Sequence, residues 1–152
     1  MTDGEIQIYR RHMPHWRQDE ATYFVTFRLA TGILTATEIK IVLGHIIIGH
    51  PQYYKLFAAI VMPDHVHILL SPKGTISLDR IMKGIKGVSA RKINIYRTTT
   101  GTVWQDESFD RIVRDEKEFN EKLQYMFNNP TKKGITDDPW NYVGWYFNES
   151  IE

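Results

Sequence analysis

The chain has 152 residues, 42% hydrophobic and 24% charged, a composition that fits a folded domain and excludes a disordered segment. The absence of cysteine excludes a disulfide framework, a zinc-thiolate site and cysteine nucleophilic chemistry, and the net charge of +1 gives the molecule as a whole no bias towards polyanions. No apolar run approaches the roughly 18 residues that span a bilayer, and no basic-plus-apolar leader opens the chain, so a cytoplasmic protein with no membrane partner is expected.

One domain over 1–152 is expected, with residues 1–22 as an irregular N-terminal arm broken at Met13-Pro14. Tyr23 to Leu29 is aromatic and β-branched and predicts a strand. Thr35 and Glu38 have the spacing of a capping box, and Ile39, Val42, Leu43, Ile46 and Ile47 follow at helical spacing, which predicts a helix over about Thr35 to Ile48. Tyr54 to Met62 and His65 to Ser71 predict two further strands. The Pro63-Asp64 turn between them is short enough to make them antiparallel. A long helix starts at Ser77, with Leu78, Ile81, Ile85 and Val88 on one face. Val103-Trp104 and Phe109 to Val113 predict a fourth strand or two short ones. Asp115 and Glu118 then open a last helix, expected to stop at Asn128 or Asn129 before Pro130. The order strand, helix, strand, strand, helix, strand, helix is the split βαβ pattern of an α+β ferredoxin-like sandwich, a mostly antiparallel sheet with helices on one face.

Charge is unevenly placed along this pattern. Between Ser77 and Thr100 six basic residues face one acidic residue, and the rest of the chain is net negative. Arg80, Lys83, Lys86, Arg91 and Arg97 fall opposite the apolar stripe of the long helix. A charged outer face is ordinary for a helix lying on a sheet. The scarcity of acids and the 12% aromatic content make it equally suited to nucleic acid, with cations on phosphates and bases on rings.

His65-Val66-His67 carries the chemistry. Residues i and i+2 of a strand point to one side, so both imidazoles leave the same face while Val66, Ile68 and Leu70 face the other. Such a pair is either a polar sheet face or two ligands of one metal, and two ligands need a third from elsewhere. In the last helix, Phe119, Leu123, Met126 and Phe127 form the apolar stripe, and Tyr125 lies roughly opposite it at 100° per residue. Asn129, four residues on, shares the Tyr125 face, and an amide oxygen suits a hard divalent ion. An asparagine is also common at a helix C-terminus.

These segments together resemble the single-tyrosine HUH transposases, in particular the REP-associated tyrosine transposase branch. The matching pieces are Met62-Pro63-Asp64-His65-Val66-His67, Lys86-Gly87 to Asn94, Trp104-Gln105 with Phe109-Asp110-Arg111 and Arg114-Asp115, and Tyr125-Met126-Phe127-Asn128-Asn129-Pro130. Tyr9-Arg10-Arg11, Pro14-His15-Trp16 and Tyr23 to Phe27 also match. The resemblance runs from about Tyr9 to Tyr146. It implies a ferredoxin-like fold and an endonuclease and strand transferase of single-stranded DNA near a hairpin, acting through a 5′-phosphotyrosine. Tyr125 is then the nucleophile, and His65, His67 and Asn129 hold Mg²⁺ or Mn²⁺, with Asn128 the neighbouring alternative to Asn129. Arg10, Arg11, Trp16, Arg80, Lys83, Lys86 and Arg91 are candidate DNA contacts. The expected partner is single-stranded or hairpin DNA, and the expected state a monomer or homodimer.

Two other classes compete. A nucleic-acid-binding module on the same scaffold would present aromatics on its central strands, where this chain has histidines. A metal-dependent phosphodiesterase using activated water would need more carboxylate ligands. Protein left covalently on DNA separates the first reading from both.

Overall fold

A computed structural model describes residues 20–150 of the chain. The elements are β1 (Tyr23–Leu29), α1 (Ala36–Ile48), β2 (Tyr54–Val61), β3 (His65–Pro72), α2 (Leu78–Arg97), β4 (Trp104–Ile112), α3 (Glu116–Lys132), a short 3₁₀ turn (Pro139–Asn141) and β5 (Trp145–Phe147). The five strands form one sheet in the order β4-β1-β3-β2-β5, and every pairing is antiparallel. The expected α+β class and element order are present. The Val103 to Val113 region is one strand of nine residues, and β5 is an edge strand that sequence patterning does not separate from the tail.

Local chemistry explains the boundaries. Thr35 caps α1 by accepting from Glu38 N at 3.3 Å, while Glu38 Oε1 accepts from Thr35 N at 2.8 Å, completing the expected capping box. Ser77 caps α2 and Asp115 caps α3 in the same way. The last helix does not stop before Pro130. Proline there removes one donor near the helix end, a small loss in the final turn, and its ring is buried; the chain continues to Lys132 before Gly134 turns it at φ 74°.

Alternation within the strands separates two cores. Val25, Phe27, Val66, Ile68 and Leu70 pack with Ile39, Val42, Ile46, Ile81 and Ile85 of α1 and α2. Ala58, Ile60 and Leu69 pack instead with Phe119, Leu123, Met126 and Phe127 of α3. The expectation of helices on one face therefore holds for α1 and α2, whereas α3 covers the other face. The physical reason lies in β2 and β3, which carry apolar side chains in both directions, so that neither side of the sheet centre can face water. This second layer positions the candidate site: α3 lies against the face to which His65 and His67 point.

Candidate active site

β3 is the central strand, flanked by β1 and β2, and His65 and His67 occupy its first turn-proximal positions. Both are buried, at 6% and 4% exposure, beneath α3 rather than open to solvent as a polar sheet face would be. Their rings stand 4.8 Å apart, centroid to centroid. Each is held by its Nδ1. His65 Nδ1 donates to Asp64 Oδ1 at 2.7 Å, and His67 Nδ1 lies 2.7 Å from Thr26 Oγ1 on the adjacent strand, where β1 register pairs Thr26 with His67. With its Nδ1 proton on Asp64, His65 presents Nε2 as a lone pair, and His67 does the same when its Nδ1 donates to Thr26, the arrangement in which a second layer of partners orients metal-binding imidazoles.

The two Nε2 atoms differ in what they meet. Asn129 Nδ2 lies 3.2 Å from His65 Nε2. His67 Nε2 is buried with no hydrogen-bond partner, an arrangement that costs free energy unless something binds there. A half-turn of the Asn129 amide exchanges its nitrogen for its oxygen beside His65. Two imidazoles and an amide oxygen therefore fit a divalent cation. Among the described residues no cluster of three or more His, Cys, Asp or Glu side chains forms. Burial, and then its nearness to His65, Arg28 and Lys122, pushes His67 down to about 3, which keeps it in the neutral form that ligates. The His65 contact holds the Asp64 carboxyl below its ordinary range.

Tyr125 stands beside this pair. Its ring centroid is 5.5 Å from that of His67, edge-on, and 6.3 Å from that of Phe24, which itself stacks on His67 at 5.1 Å. At 47% exposure the tyrosine is packed on one side and open on the other. Asn128 belongs to the outer face of α3, where it accepts from Gln124 Nε2 at 3.1 Å. Asn129, at 3% exposure, points inward, which separates the two candidates for the amide position.

Among the described residues, the expected DNA contacts do not gather here. Arg80, Lys83, Lys86 and Arg91 belong to α2, on the opposite face of the sheet. Arg80, Lys83 and Arg91 are exposed. Lys86 is instead half-buried, and its Nζ donates to Gln105 O at 2.7 Å, Asp106 O at 3.1 Å and Ser108 Oγ at 3.0 Å, tying α2 to β4. Arg97 is likewise engaged, with both its Nε and a terminal nitrogen on Glu38. Arg10, Arg11 and Trp16 lie outside the described residues. Sequence reasoning missed Asp64, Thr26 and Phe24. Asp64 adjoins His65 and could have been found beyond its role in the turn; Thr26 and Phe24 reach the site only through strand register.

The family model described as "Transposase IS200 like" matches residues 34–129, a span that runs from before α1 through Asn129 and contains His65, His67 and Tyr125. A Haemophilus influenzae protein named for the REP-associated tyrosine transposases is 22% identical over 105 residues, covering 61% of this chain. The chain spans about 60% of the length of that relative. The structure of a REP-associated tyrosine transposase bound to a REP hairpin superposes with a TM-score of 0.70 at 20% identity, over 88% of this chain and 82% of the other. A structure named as a transposase from Deinococcus radiodurans R1 superposes with a TM-score of 0.52 at 24% identity, over 76% of this chain and 97% of the other. The fold is therefore shared with both.

Proposed function

The chain belongs to the IS200-like transposase family, and from that premise we propose that it is a single-stranded DNA endonuclease and strand transferase of the REP-associated kind. The observation that carries the reading is the placement of Tyr125 beside a buried histidine pair, in which His65 Nε2 lies against Asn129 and His67 Nε2 has no hydrogen-bond partner. A buried, unpartnered imidazole nitrogen next to a half-exposed tyrosine favours a catalytic site over a binding fold.

In the proposed reaction the Tyr125 oxygen attacks the scissile phosphorus. The bond from phosphorus to the 3′ oxygen breaks, leaving a 5′-phosphotyrosine and a free 3′-OH. The phenolic proton is lost to solvent and the departing 3′ oxygen gains one, so the step is balanced. Attack by a 3′-OH on the phosphotyrosine reverses it, and the retained phosphodiester energy allows joining without a nucleotide cofactor. His65, His67 and Asn129 would hold Mg²⁺ or Mn²⁺, which supplies Lewis-acid polarisation of a phosphate oxygen. Asp64 and Thr26 keep the imidazoles oriented, and Phe24 fixes the His67 ring against rotation. A hairpin with a flanking single strand is the proposed substrate. The exposed Arg80, Lys83 and Arg91 of α2 are proposed to meet its phosphates as it passes round the sheet, with the single domain and its N-terminal arm acting as one unit.

The test is a denaturing gel of the protein with labelled hairpin DNA in Mg²⁺ or Mn²⁺. A protein–DNA adduct that survives denaturation, present with wild type and absent with Tyr125→Phe, supports the reading. Tight binding with no adduct from wild type would instead identify a binding module.

A further inference from the structure

Among the described residues, the cations nearest Tyr125 do not lie on α2. Phe24, Thr26 and Arg28 alternate onto the α3 side of β1, the face that carries Tyr125 and the histidines, and strand register sets Arg28 opposite His65. Lys122 Nζ sits 5.0 Å over the Phe24 ring, at the other end of the same strand face. Four residues of extended chain separate Phe24 from Arg28, roughly 13 Å at the usual strand rise. Tyr125 and His67 lie between these ends.

At the Arg28 end a cleft of about 290 Å³ is lined by Arg28, Asp64, His65, Tyr125, Lys133 and Ile135. It brings two cations and one carboxylate to the flank of the tyrosine; the carboxylate is hydrogen-bonded to His65 Nδ1 and offsets part of the Arg28 charge. Among the described residues Arg28, Lys122 and Lys133 enter no salt bridge, whereas Lys55, Lys83, Arg97, Arg111 and Arg114 each face an acid. Like charges gathered around one cleft repel, and an anionic ligand relieves that repulsion.

We propose that this face of β1 is the track of the cleaved strand: Lys122 holds a backbone phosphate on one side of the scissile position, and Arg28 with Lys133 holds a phosphate on the other. The inference rests on the reading of Tyr125 as the nucleophile, and deepens it by naming the residues that position the strand. Phe24 beneath Lys122 keeps that head group from wandering. The guanidinium of Arg28 offers a planar fork to one phosphate and Lys133 a point charge beside it. These are positioning residues, and they differ from the α2 cations in lying on the reacting face.

Binding of a hairpin oligonucleotide with a flanking single strand, measured in EDTA, tests the track apart from the chemistry. Oligonucleotides carrying one neutral methylphosphonate at each successive position around the cut are compared on wild type, Arg28→Ala, Lys133→Ala, Lys122→Ala and Lys83→Ala. Arg28→Ala is expected to weaken binding about tenfold, the size of one charge-assisted hydrogen bond. One neutralised position should weaken wild type similarly and Arg28→Ala no further. Lys133→Ala should couple to the same position, Lys122→Ala to a position across the cut, and Lys83→Ala to neither. Arg28→Lys should recover part of the binding. Effects that simply multiply at every position, or unchanged binding by Arg28→Ala, overturn the track. Adduct formation by wild type on the unmodified strand is scored in parallel. Coupling without an adduct overturns the nucleophile and leaves the phosphate track standing, and an adduct without coupling does the reverse.

Discussion

At the residue scale the proposed chemistry rests on a single oxygen, that of Tyr125. Tyr125→Phe removes it from a side chain that is half exposed, so stability should change by less than about 1 kcal/mol while the adduct disappears. Thermal melting beside the denaturing gel checks both halves. If the phenylalanine variant still forms the adduct, Tyr142 and Tyr146 are next; Tyr142 is the weaker substitute, because its hydroxyl is buried and donates to Val61 O at 2.7 Å. The histidines behave differently. His65 and His67 lie buried under α3, so alanine there is expected to lower stability as well as activity. His67→Ala opens a cavity and strands Thr26, and should cost about 1–3 kcal/mol of stability along with all cleavage. Asn129→Ala should retain measurable cleavage, since water can replace one neutral ligand. Equal loss of activity in Asn129→Ala and His65→Ala, at matched folded fraction, would contradict the amide's place in the site.

Two helix attachments decide what a variant means at the element scale. The Arg97 contact, chiefly, holds the Glu38 carboxyl below its ordinary value, and Glu38 is buried inside the α1 capping box. A carboxylate with a lowered folded pKa stabilises above its unfolded value of about 4.3 and loses that contribution as pH falls through the folded value. Arg97→Ala should therefore cost about 2 kcal/mol at pH 7, by leaving a buried charge unpaired, and far less at a pH below the folded value of Glu38, where its carboxyl is protonated. Urea melts at the two pH values measure this. Equal penalties at both would show that Arg97 acts by packing. On α2, Lys83→Glu should weaken DNA binding and flatten its salt dependence by about 0.7 in log–log slope for each phosphate no longer neutralised, with little change in melting temperature. Lys86→Ala should do the opposite, loosening β4 and lowering the melting temperature with no specific effect on the slope, because its ammonium is engaged by β4 carbonyls. Hydrogen exchange along β4 separates the two.

Binding and folding are linked across the whole molecule. A cation held by β3 and α3 would bridge the sheet to the helix that covers it, and anything that binds only the native state raises stability by mass action. Mn²⁺ at about 100 times its dissociation constant should add about 2.7 kcal/mol, a shift of several degrees in melting temperature for a domain of this size. Mg²⁺ should act more weakly, since imidazole is a soft partner for it. EDTA should remove the shift, and neither His65→Ala nor His67→Ala should show it. A wild-type melting curve indifferent to millimolar Mn²⁺ in the absence of DNA would mean that the three side chains do not form a site without substrate.

The sequence by itself determined the local features, because their causes are local. Thr35 with Glu38, Ser77 and Asp115 mark the helix starts through caps of three residues' reach, and the period-2 logic of β3 sends His65 and His67 to one side whatever surrounds them. The motif order was enough to suggest the family. Tertiary structure alone decided which surfaces meet. Both sheet faces of β2 and β3 are apolar, so periodicity within a strand could not tell which helix would cover which side; α3 took the face opposite α1 and α2. Strand register brought Thr26 to His67 and Arg28 to His65 across about 40 residues of sequence, a distance over which no spacing rule operates. The basic stripe of α2 was legible as charge. That Lys86 and Arg97 are taken up by β4 and Glu38, while Arg28, Lys122 and Lys133 gather at Tyr125, depends on contacts between elements, which packing sets and helical periodicity does not encode.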